Sequence, residues 1–446
     1  MKMAKKVLAV LLSVLFVVGV FTACSSNGGD TKKKEDTTNS ATSKLKVGFI
    51  FLHDKNSTYD LNFIKAADAA CEKLGITGAQ KLYKTQIPEG QEAYDAAVDL
   101  AEQGCNIIFA DSFGHEPYII EAAKKYPNVQ FCHSTGTRAH TEGLANYHNA
   151  FASIYEGRYL AGIAAGLKLN EMIDSGKITA DKAKMGYVGA FTYAEVISGY
   201  TSFFLGARSV CPTATMEVTF TGSWYDETAE KEGAEKLIQN GCVLISQHAD
   251  SMGAPTACEK AGVPNVSYNG STVSVGPNTY IISSRINWAP YYEYAIKAVM
   301  DGTAIDVDWT GTLATNSVVL TDLNTTVAAE GTAEAIAAAT EKLEKGEIHV
   351  FDCSTCTVKG ENLKYYKAVV NPDGDNTPDT EVVHDGYFAQ SEKRSAPYFD
   401  LEIDGINRLD VNYGGKSPGF PTQFSPTPRW AAQAAHLLLF PSYTRL

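Results

Sequence analysis

The sequence contains the phrase Ala-Asp-Ser-x-Gly twice, at residues 110–114 and 249–253, each time at the end of an apolar run. In open parallel sheets, ligands bind beyond the carboxyl ends of the strands. Asp111, Ser112 and Asp250 therefore offer carboxylate and hydroxyl groups that could hydrogen-bond a small polar ligand. Because Asp and Ser are also preferred helix caps, a purely structural role for both copies fits the pattern equally well.

Further polar and aromatic residues follow other apolar runs. They are Asp54, Tyr59, Asp60, Tyr193, Glu195, Trp224, Tyr225, Asn269 and Trp288. Aromatic rings can sandwich a flat ligand while carboxylates and amides read its edge, and a sugar would be served by nearly the same set. Two structural alternatives stay open: large rings are common in cores, and Ser57 with Asp60 matches a capping box.

The flanks of the two phrases are similar as well, which indicates a duplicated unit. "AEQGCNII" precedes the first copy and "IQNGCVLI" the second, and Gly104 and Gly241 are separated by 137 positions, as are Pro127 and Pro264. Short apolar runs alternate with helical periods along both halves, which is typical of parallel sheets with crossover helices. The sequence therefore predicts two doubly wound α/β lobes that face each other across a cleft, each lobe supplying half of one pocket.

One helical segment, "SIYEGRYLAGIAAGLKL", is apolar enough to resemble a membrane span. Its short length and the charges of Glu156 and Arg158 argue against this interpretation. Its small residues instead predict a closely packed helix near the hinge.

Both ends of the chain differ in composition from the body. Residues 1–23 predict a signal peptide, and "FTAC" resembles the lipobox of bacterial lipoproteins, in which Cys24 would be acylated. Residues 24–44 contain no large apolar residue, which predicts a flexible tether. Residues 411–446 contain no Asp or Glu and are interpreted as an atypical tail. We therefore expect a cell-surface lipoprotein anchored on the extracytoplasmic face of a membrane.

Net charge excludes one class of partner. The formal charge of −13 becomes −16 without the three lysines of the signal peptide, so nucleic acid is not expected as a ligand. Three enzyme signatures are missing from the sequence: "GHEP" lacks the second His at the spacing of a zincin, and neither a phosphate-binding glycine loop nor a nucleophile elbow is found. We expect a binding protein without catalytic activity or a cofactor.

Metal binding has one weak candidate. Asn371, Asp373, Asp375 and Asp379 are spaced like a calcium loop, but the expected Gly and Glu positions differ, which favours a solvated acidic turn. Cys353 and Cys356 have no second ligand pair for zinc, so a local disulfide or two free thiols is expected.

Three long blocks carry a family resemblance: "NYHNAFASIYEGRYLAGIAAG", "GSWYDETAEKEGAEKLIQNGCVLISQHADS" and "ISSRINWAPYYEYAI". They resemble the corresponding blocks of the basic membrane protein family of bacterial lipoproteins, over residues 45–410. The resemblance implies a type I periplasmic-binding-protein fold with a hinge. It places residues 45–160 and 283–305 in the first lobe and residues 161–282 and 306–410 in the second.

The same resemblance implies the solute receptor of an ABC importer, a monomer that delivers a purine nucleoside to a membrane permease. Tyr59 and either Trp224 or Tyr225 would stack on the base, with Asp54, Asp60 and Asn269 as polar partners. The chain departs from its relatives in having Tyr59-Asp60 where many have Phe-Asn, and Trp288 where nucleoside binders often have Lys. A sensory receptor of the same fold, or a receptor for a sugar or another small solute, remains the alternative.

Overall fold

The structure is a computed structural model, and it describes residues 45–372 and 377–410. The predicted signal peptide, Cys24, the tether, the tail, Asp373 and Asp375 lie outside these ranges. Asp379 lies inside them, and its carboxylate accepts hydrogen bonds from Val370 N and Asn371 N, both at 3.1 Å.

The first lobe is built on a parallel sheet of six strands in the order β11-β5-β4-β3-β1-β2. The strands are β1 (Val47–Ile50), β2 (Lys81–Lys84), β3 (Ile107–Ala110), β4 (Gln130–Ser134), β5 (Tyr147–Ala152) and β11 (Asp308–Gly311). The helices of this lobe are α1 (Thr58–Lys73), α2 (Gln91–Glu102), α3 (Glu116–Lys125), α4 (Ala139–Glu142) and α9 (Ala289–Asp301).

The second lobe has a seven-stranded sheet in the order β12-β10-β9-β8-β6-β7-β17, in which only the pairing of β10 with β12 is antiparallel. The strands are β6 (Lys184–Gly189), β7 (Thr215–Phe220), β8 (Leu244–His248), β9 (Asn265–Tyr268), β10 (Tyr280–Ile286), β12 (Val318–Leu320) and β17 (Ile406–Arg408). The helices are α5 (Ile154–Asp174), α6 (Ala194–Val210), α7 (Glu227–Gln239), α8 (Gly253–Ala261) and α10 (Thr332–Glu344).

The central strands are apolar on both faces because helices cover both sides of each sheet. Every residue of β1 and of β3 is buried, which explains their uninterrupted apolar runs. Two main cores result: one surrounds Phe49 and Phe63 in the first lobe, and the other surrounds Met185 and Phe203 in the second.

Three crossings join the lobes. The chain passes from β5 to α5 at Ser153, from β10 to α9 at residues 287–288, and from β11 to β12 at residues 312–317. Ser153 N donates to Gly311 O at 2.8 Å, which ties the first crossing to the third. These crossings differ by a few residues from the expected lobe boundaries: residues 154–160 and 283–286 lie in the second lobe, and β11 lies in the first.

Helix α5 packs closely against α6, as its small residues predict. A Cβ atom on Gly162 would lie 2.1 Å from Phe203 O, and one on Gly206 would lie 2.0 Å from Tyr159 O, so neither position has room for a side chain. Across the described ranges, no helix combines the length and the apolar character that a membrane span requires.

After α10 the chain runs through two small hairpins before it joins the second sheet. The hairpins pair β13 (Lys367–Ala368) with β14 (Thr380–Glu381) and β15 (Val383–His384) with β16 (Tyr387–Phe388). All eight cysteines of the described residues are free thiols, Cys353 and Cys356 included.

Candidate ligand pocket between the lobes

A pocket lies between the lobes, and both lobes contribute to its lining. The first lobe contributes Leu52, Tyr59, Ser112, Phe113 and Thr135, and the second contributes Glu195, Trp224, His248, Asp250, Tyr268 and Asn269. Most of these residues lie at or just after the carboxyl end of a parallel strand, as the two-lobed arrangement predicts.

The lobes touch directly around this pocket. Thr58 N donates to Asp250 O at 3.1 Å, and Asn62 Nδ2 donates to Asn269 O at 2.6 Å. The rings of Phe113 and of Tyr193 in the second lobe lie 5.3 Å apart between centroids. The structure is therefore a closed form, in which main-chain groups of one lobe bind side chains and amides of the other.

Tyr59 supplies the aromatic surface of the first lobe. Its ring packs edge-on against Phe63, with centroids 4.9 Å apart, and its hydroxyl donates to Asp111 O at 2.5 Å. Burial, together with the carboxylates around it, raises the pKa of Tyr59 well above its ordinary value. The ring is thus a fixed, neutral surface.

Trp224 supplies the matching surface of the second lobe. Its ring contacts Phe191 at 5.0 Å and Tyr193 at 5.9 Å between centroids, so Tyr193 supports the pocket wall. Asp250 N donates to Trp224 O at 3.0 Å, which ties the Trp224 loop to the end of β8.

Asp111 and Asp250 follow β3 and β8, and both are buried. Asp111 Oδ1 accepts from Leu52 N at 3.0 Å, while its Oδ2 has no hydrogen-bond partner; Asp250 Oδ1 accepts from Asn269 Nδ2 at 3.3 Å. Burial, followed by the charge of Asp60, raises the pKa of both carboxyls well above the ordinary value. Neither Asp111 nor Asp250 caps the helix that follows it, whereas Ser251 Oγ accepts from Gly253 N, the first residue of α8, at 3.1 Å. The capping alternative therefore holds for Ser251 and not for the two aspartates.

Glu195 and His248 form a polar pair on the wall of the second lobe. His248 Nε2 lies 3.4 Å from Glu195 Oε1, and the His248 ring packs on Tyr268 with centroids 4.2 Å apart. A Cβ atom on Gly199 would lie 2.5 Å from His248 Nδ1, so glycine is needed for this approach. Burial lowers the pKa of His248 despite the nearby carboxylate, which keeps the imidazole neutral at pH 7.

A buried cation stands behind this wall. The Arg158 guanidinium lies 5.3 Å from the Tyr268 ring centroid and donates to Ser246 Oγ at 2.7 Å and Ser267 O at 3.1 Å. Its hydrogen bonds thus go to the second lobe rather than to the pocket. Among the described residues that line the pocket, none is Lys or Arg.

Thr135 and Asn269 have left-handed backbones, with φ of 74° and 64°. Each is the first residue after a strand, and its amide donates back to the sheet, Thr135 N to Ala150 O at 2.8 Å and Asn269 N to Ser284 O at 2.9 Å. A positive φ is unfavourable for a β-branched residue, and such strain clusters at functional sites. Thr135 Oγ1 is buried without a partner, so it is available to a ligand.

Six of the twelve predicted residues do not line the pocket: Asp111 and Tyr193 contact lining residues, as described above, and the other four lie elsewhere. Asp60 is buried in a local network in which its carboxylate accepts from His53 N and Ser57 Oγ, in agreement with the capping alternative. Asp54 accepts from Asn56 N in a surface turn, and Tyr225 packs beside His53. Trp288 lies in the core of the first lobe, stacked on Phe63 at 4.5 Å, so its aromatic signal reflects packing.

Five pocket residues were not predicted: Leu52, Phe113, Thr135, His248 and Tyr268. Phe113 is the variable residue of the first repeated phrase, and His248 immediately precedes the second. Their nearness to the repeat was the available signal, since residues that flank a strand end share its position at the cleft.

A family comparison decides the assignment of the fold. The model of the Bmp family, described as ABC transporter substrate-binding protein PnrA-like, matches residues 49–352. The chain belongs to this family. It is a substrate-binding protein of the ABC transporter class, and the predicted family and two-lobed α/β fold are confirmed. The family consists of extracytoplasmic binding proteins and is not a class of enzymes.

Individual relatives agree with this assignment. The chain is 33% identical over 266 residues to the purine-binding protein of Brucella abortus, covering 59% of this chain and 71% of the relative. It is 34% identical over 212 residues to a Haloferax volcanii protein that is named a putative glucose-binding protein of an ABC transporter. This match covers 47% of this chain and 50% of that relative. A solute-binding protein structure from Aeropyrum pernix K1 has a TM-score of 0.57 at 19% identity, covering 69% of this chain and 93% of that one.

Proposed function

We propose that the protein captures a nucleoside, with a purine as the base, between its lobes and delivers it to an ABC permease. The observation that carries the proposal is the pair of rings from opposite lobes, Tyr59 and Trp224, with Glu195, Asp250 and Asn269 at the same pocket. Opposed rings suit the two faces of a base, and carboxylates and amides suit its edge and the ribose hydroxyls. The relative from Brucella abortus, which is named a purine-binding protein, supports a purine as the base.

Binding in this proposal is coupled to hinge closure. The contacts of Thr58 with Asp250 and of Asn62 with Asn269 join the lobes only when the cleft is shut, and the apolar faces of the rings are then removed from water. Release follows when the permease favours the open form. No covalent chemistry is required.

The test is calorimetric titration of the full chain in detergent against adenosine, guanosine, inosine, uridine, free bases, ribose and glucose. We expect saturable binding of a purine nucleoside in the micromolar range or tighter, about −8 kcal/mol or better. If glucose or ribose releases heat of binding and no nucleoside does, the proposed ligand would be a sugar instead of a nucleoside. The Haloferax relative and the acceptor-rich pocket favour the sugar as the second candidate.

Anchoring and the receptor alternative need separate tests. We propose that Cys24 is lipidated and holds the body on the outer face of the membrane; mass spectrometry of the mature N-terminal peptide should show an acylated Cys24, and Cys24→Ala should release the protein. A sensory role would instead predict that solute uptake continues unchanged in a strain without this protein.

A further inference from the structure

The family match ends at Asp352, and the described chain continues for a further stretch that includes β13 to β17. We name the described residues 353–372 and 377–410 the C-terminal strap. Its last strand pairs in parallel with β7, Ile406 opposite Met216. Apolar strap residues such as Phe388 and Phe399 belong to the core of the second lobe. The strap is therefore fixed to the second lobe.

The strap also binds the first lobe. Ser395 N donates to Asp308 Oδ2 at 2.8 Å, and the Ser395 hydroxyl donates to Asp308 Oδ1. His140 Nε2 lies 2.9 Å from Asn371 Oδ1. Asp308 begins β11 in the first sheet, and His140 lies in α4, so both contacts reach across from one lobe to the other.

The Asp308 contact lies away from the hinge. Gly311 ends β11 at the crossing, and Asp308 lies three residues before it. Along a strand, three residues span about 10 Å. A hinge rotation of about 20° would move a point at this distance by about 3.5 Å relative to the other lobe. Hydrogen bonds do not survive such a displacement, because they weaken steeply outside a narrow range of distance and angle. The bonds of Ser395 to Asp308 therefore belong to the closed form.

We propose that the C-terminal strap is a latch that holds the lobes closed through Asp308. Contacts made in one conformation and not in the other shift the equilibrium between them, and the apparent affinity for a solute rises with the fraction of the competent form. The Asp308 carboxylate is the main acceptor of this latch. Asp404 provides a matched control, since it accepts from Gly360 N at 2.7 Å and from Thr357 Oγ1 wholly inside the strap.

The test measures closure and affinity on the full chain in detergent. Donor and acceptor dyes on non-natural residues at Lys65 and Lys260, exposed positions of α1 and α8, report the distance between the lobes. We expect Asp308→Ala to lengthen this distance without a solute and to weaken binding of inosine about tenfold. Asp404→Ala should change neither quantity, although it can lower the melting temperature.

Ser395→Ala removes only a hydroxyl, so it tests the same contact if the Asp308→Ala protein does not fold. It should shift the distance and the affinity in the same direction as Asp308→Ala, by a smaller amount. Unchanged distance and affinity in folded Asp308→Ala and Ser395→Ala would overturn the latch. If adenosine, guanosine, inosine and uridine all fail to bind to any of the proteins, the nucleoside assignment on which the affinity readout rests fails, and the distance between the lobes still decides the latch by itself.

Discussion

Replacement of Trp224 by alanine tests the proposed pocket most directly. The Trp224 ring lines the cavity on one side and rests on Phe191 and Tyr193 on the other. Stacking of a base on an aromatic side chain contributes about 1–3 kcal/mol by alanine substitution. A loss of about 2 kcal/mol corresponds to a dissociation constant about 30-fold higher. We therefore expect Trp224→Ala to weaken purine nucleoside binding by about that factor.

The neighbouring Tyr225 is the matched control. It is aromatic and precedes the same helix, but its ring packs beside His53, with centroids 5.5 Å apart, and does not line the pocket. Because His53 belongs to the first lobe, Tyr225→Ala removes one contact of the closed form and no surface of the pocket, so it should raise the dissociation constant by no more than about threefold. The assay is calorimetric titration of both variants with the nucleoside that binds the wild type, with melting temperatures measured in parallel.

A change in affinity in Trp224→Ala can be assigned to the ring, because the main-chain hydrogen bond at residue 224 is kept in the variant. Asp250 N donates to Trp224 O, which alanine retains, so the variant removes the ring and leaves the loop tied to β8. Unchanged affinity in a folded Trp224→Ala protein would refute the stacking role. Equal losses in both variants would show that the loop as a whole, rather than one ring, determines binding.

Three further predictions concern charge, pH and packing. Adenosine 5′-monophosphate should bind at least about 100-fold more weakly than adenosine, because the described residues that line the pocket include Glu195 and Asp250 but neither Lys nor Arg to pair with a buried phosphate; equal affinities in titration would contradict this. Burial lowers the pKa of His133 to about 4, against about 6.5 in the unfolded chain, so its contribution to stability is lost as pH falls from about 6.5 to 4. His133→Gln, which can still donate to Ser112 O, should flatten that acid loss of urea stability by up to about 3 kcal/mol, and an unchanged pH profile would refute the assignment. Gly206→Ala should lower the free energy of unfolding by more than about 2 kcal/mol, since its Cβ would lie 2.0 Å from Tyr159 O. Gly233→Ala in α7, whose Cβ would lie 3.4 Å from Thr219 Cγ2, should be neutral or stabilising in thermal melts.

Much of the fold was accessible from sequence because parallel sheets leave a strong local signature. The runs "NIIFA" and "VLISQH" form fully buried strands, since helices cover both faces of each sheet, and the helix before each run ends near a glycine, Gly104 or Gly241. Gly104 and Gly241 each have φ of 87°, which glycine adopts without strain. The duplication then fixed which strand ends correspond.

The pocket was predicted only in part, for a physical reason. Trp224 and Trp288 carry the same sequence signal, a large ring after a strand, but one lines the cleft and the other stacks in a core. The difference depends on how the chain turns after each strand, which is set by tertiary contacts. Thr135 illustrates the opposite case. No pattern in the sequence marks it, and its left-handed backbone, held by the hydrogen bond from its amide to β5, is seen only in the structure.

The pairing of Thr135 with Asn269 indicates how the duplicated unit makes one site. Thr135 follows β4 and Asn269 follows β9, and both have positive φ. The amide of each donates a hydrogen bond to the next strand of its own lobe, β5 or β10. Each lobe therefore presents its polar groups on a backbone that is ordered before closure. Because these bonds lie within each lobe, the free energy of ligand binding is directed to the relative position of the lobes, which in the proposed function is the quantity that a permease would detect and reverse.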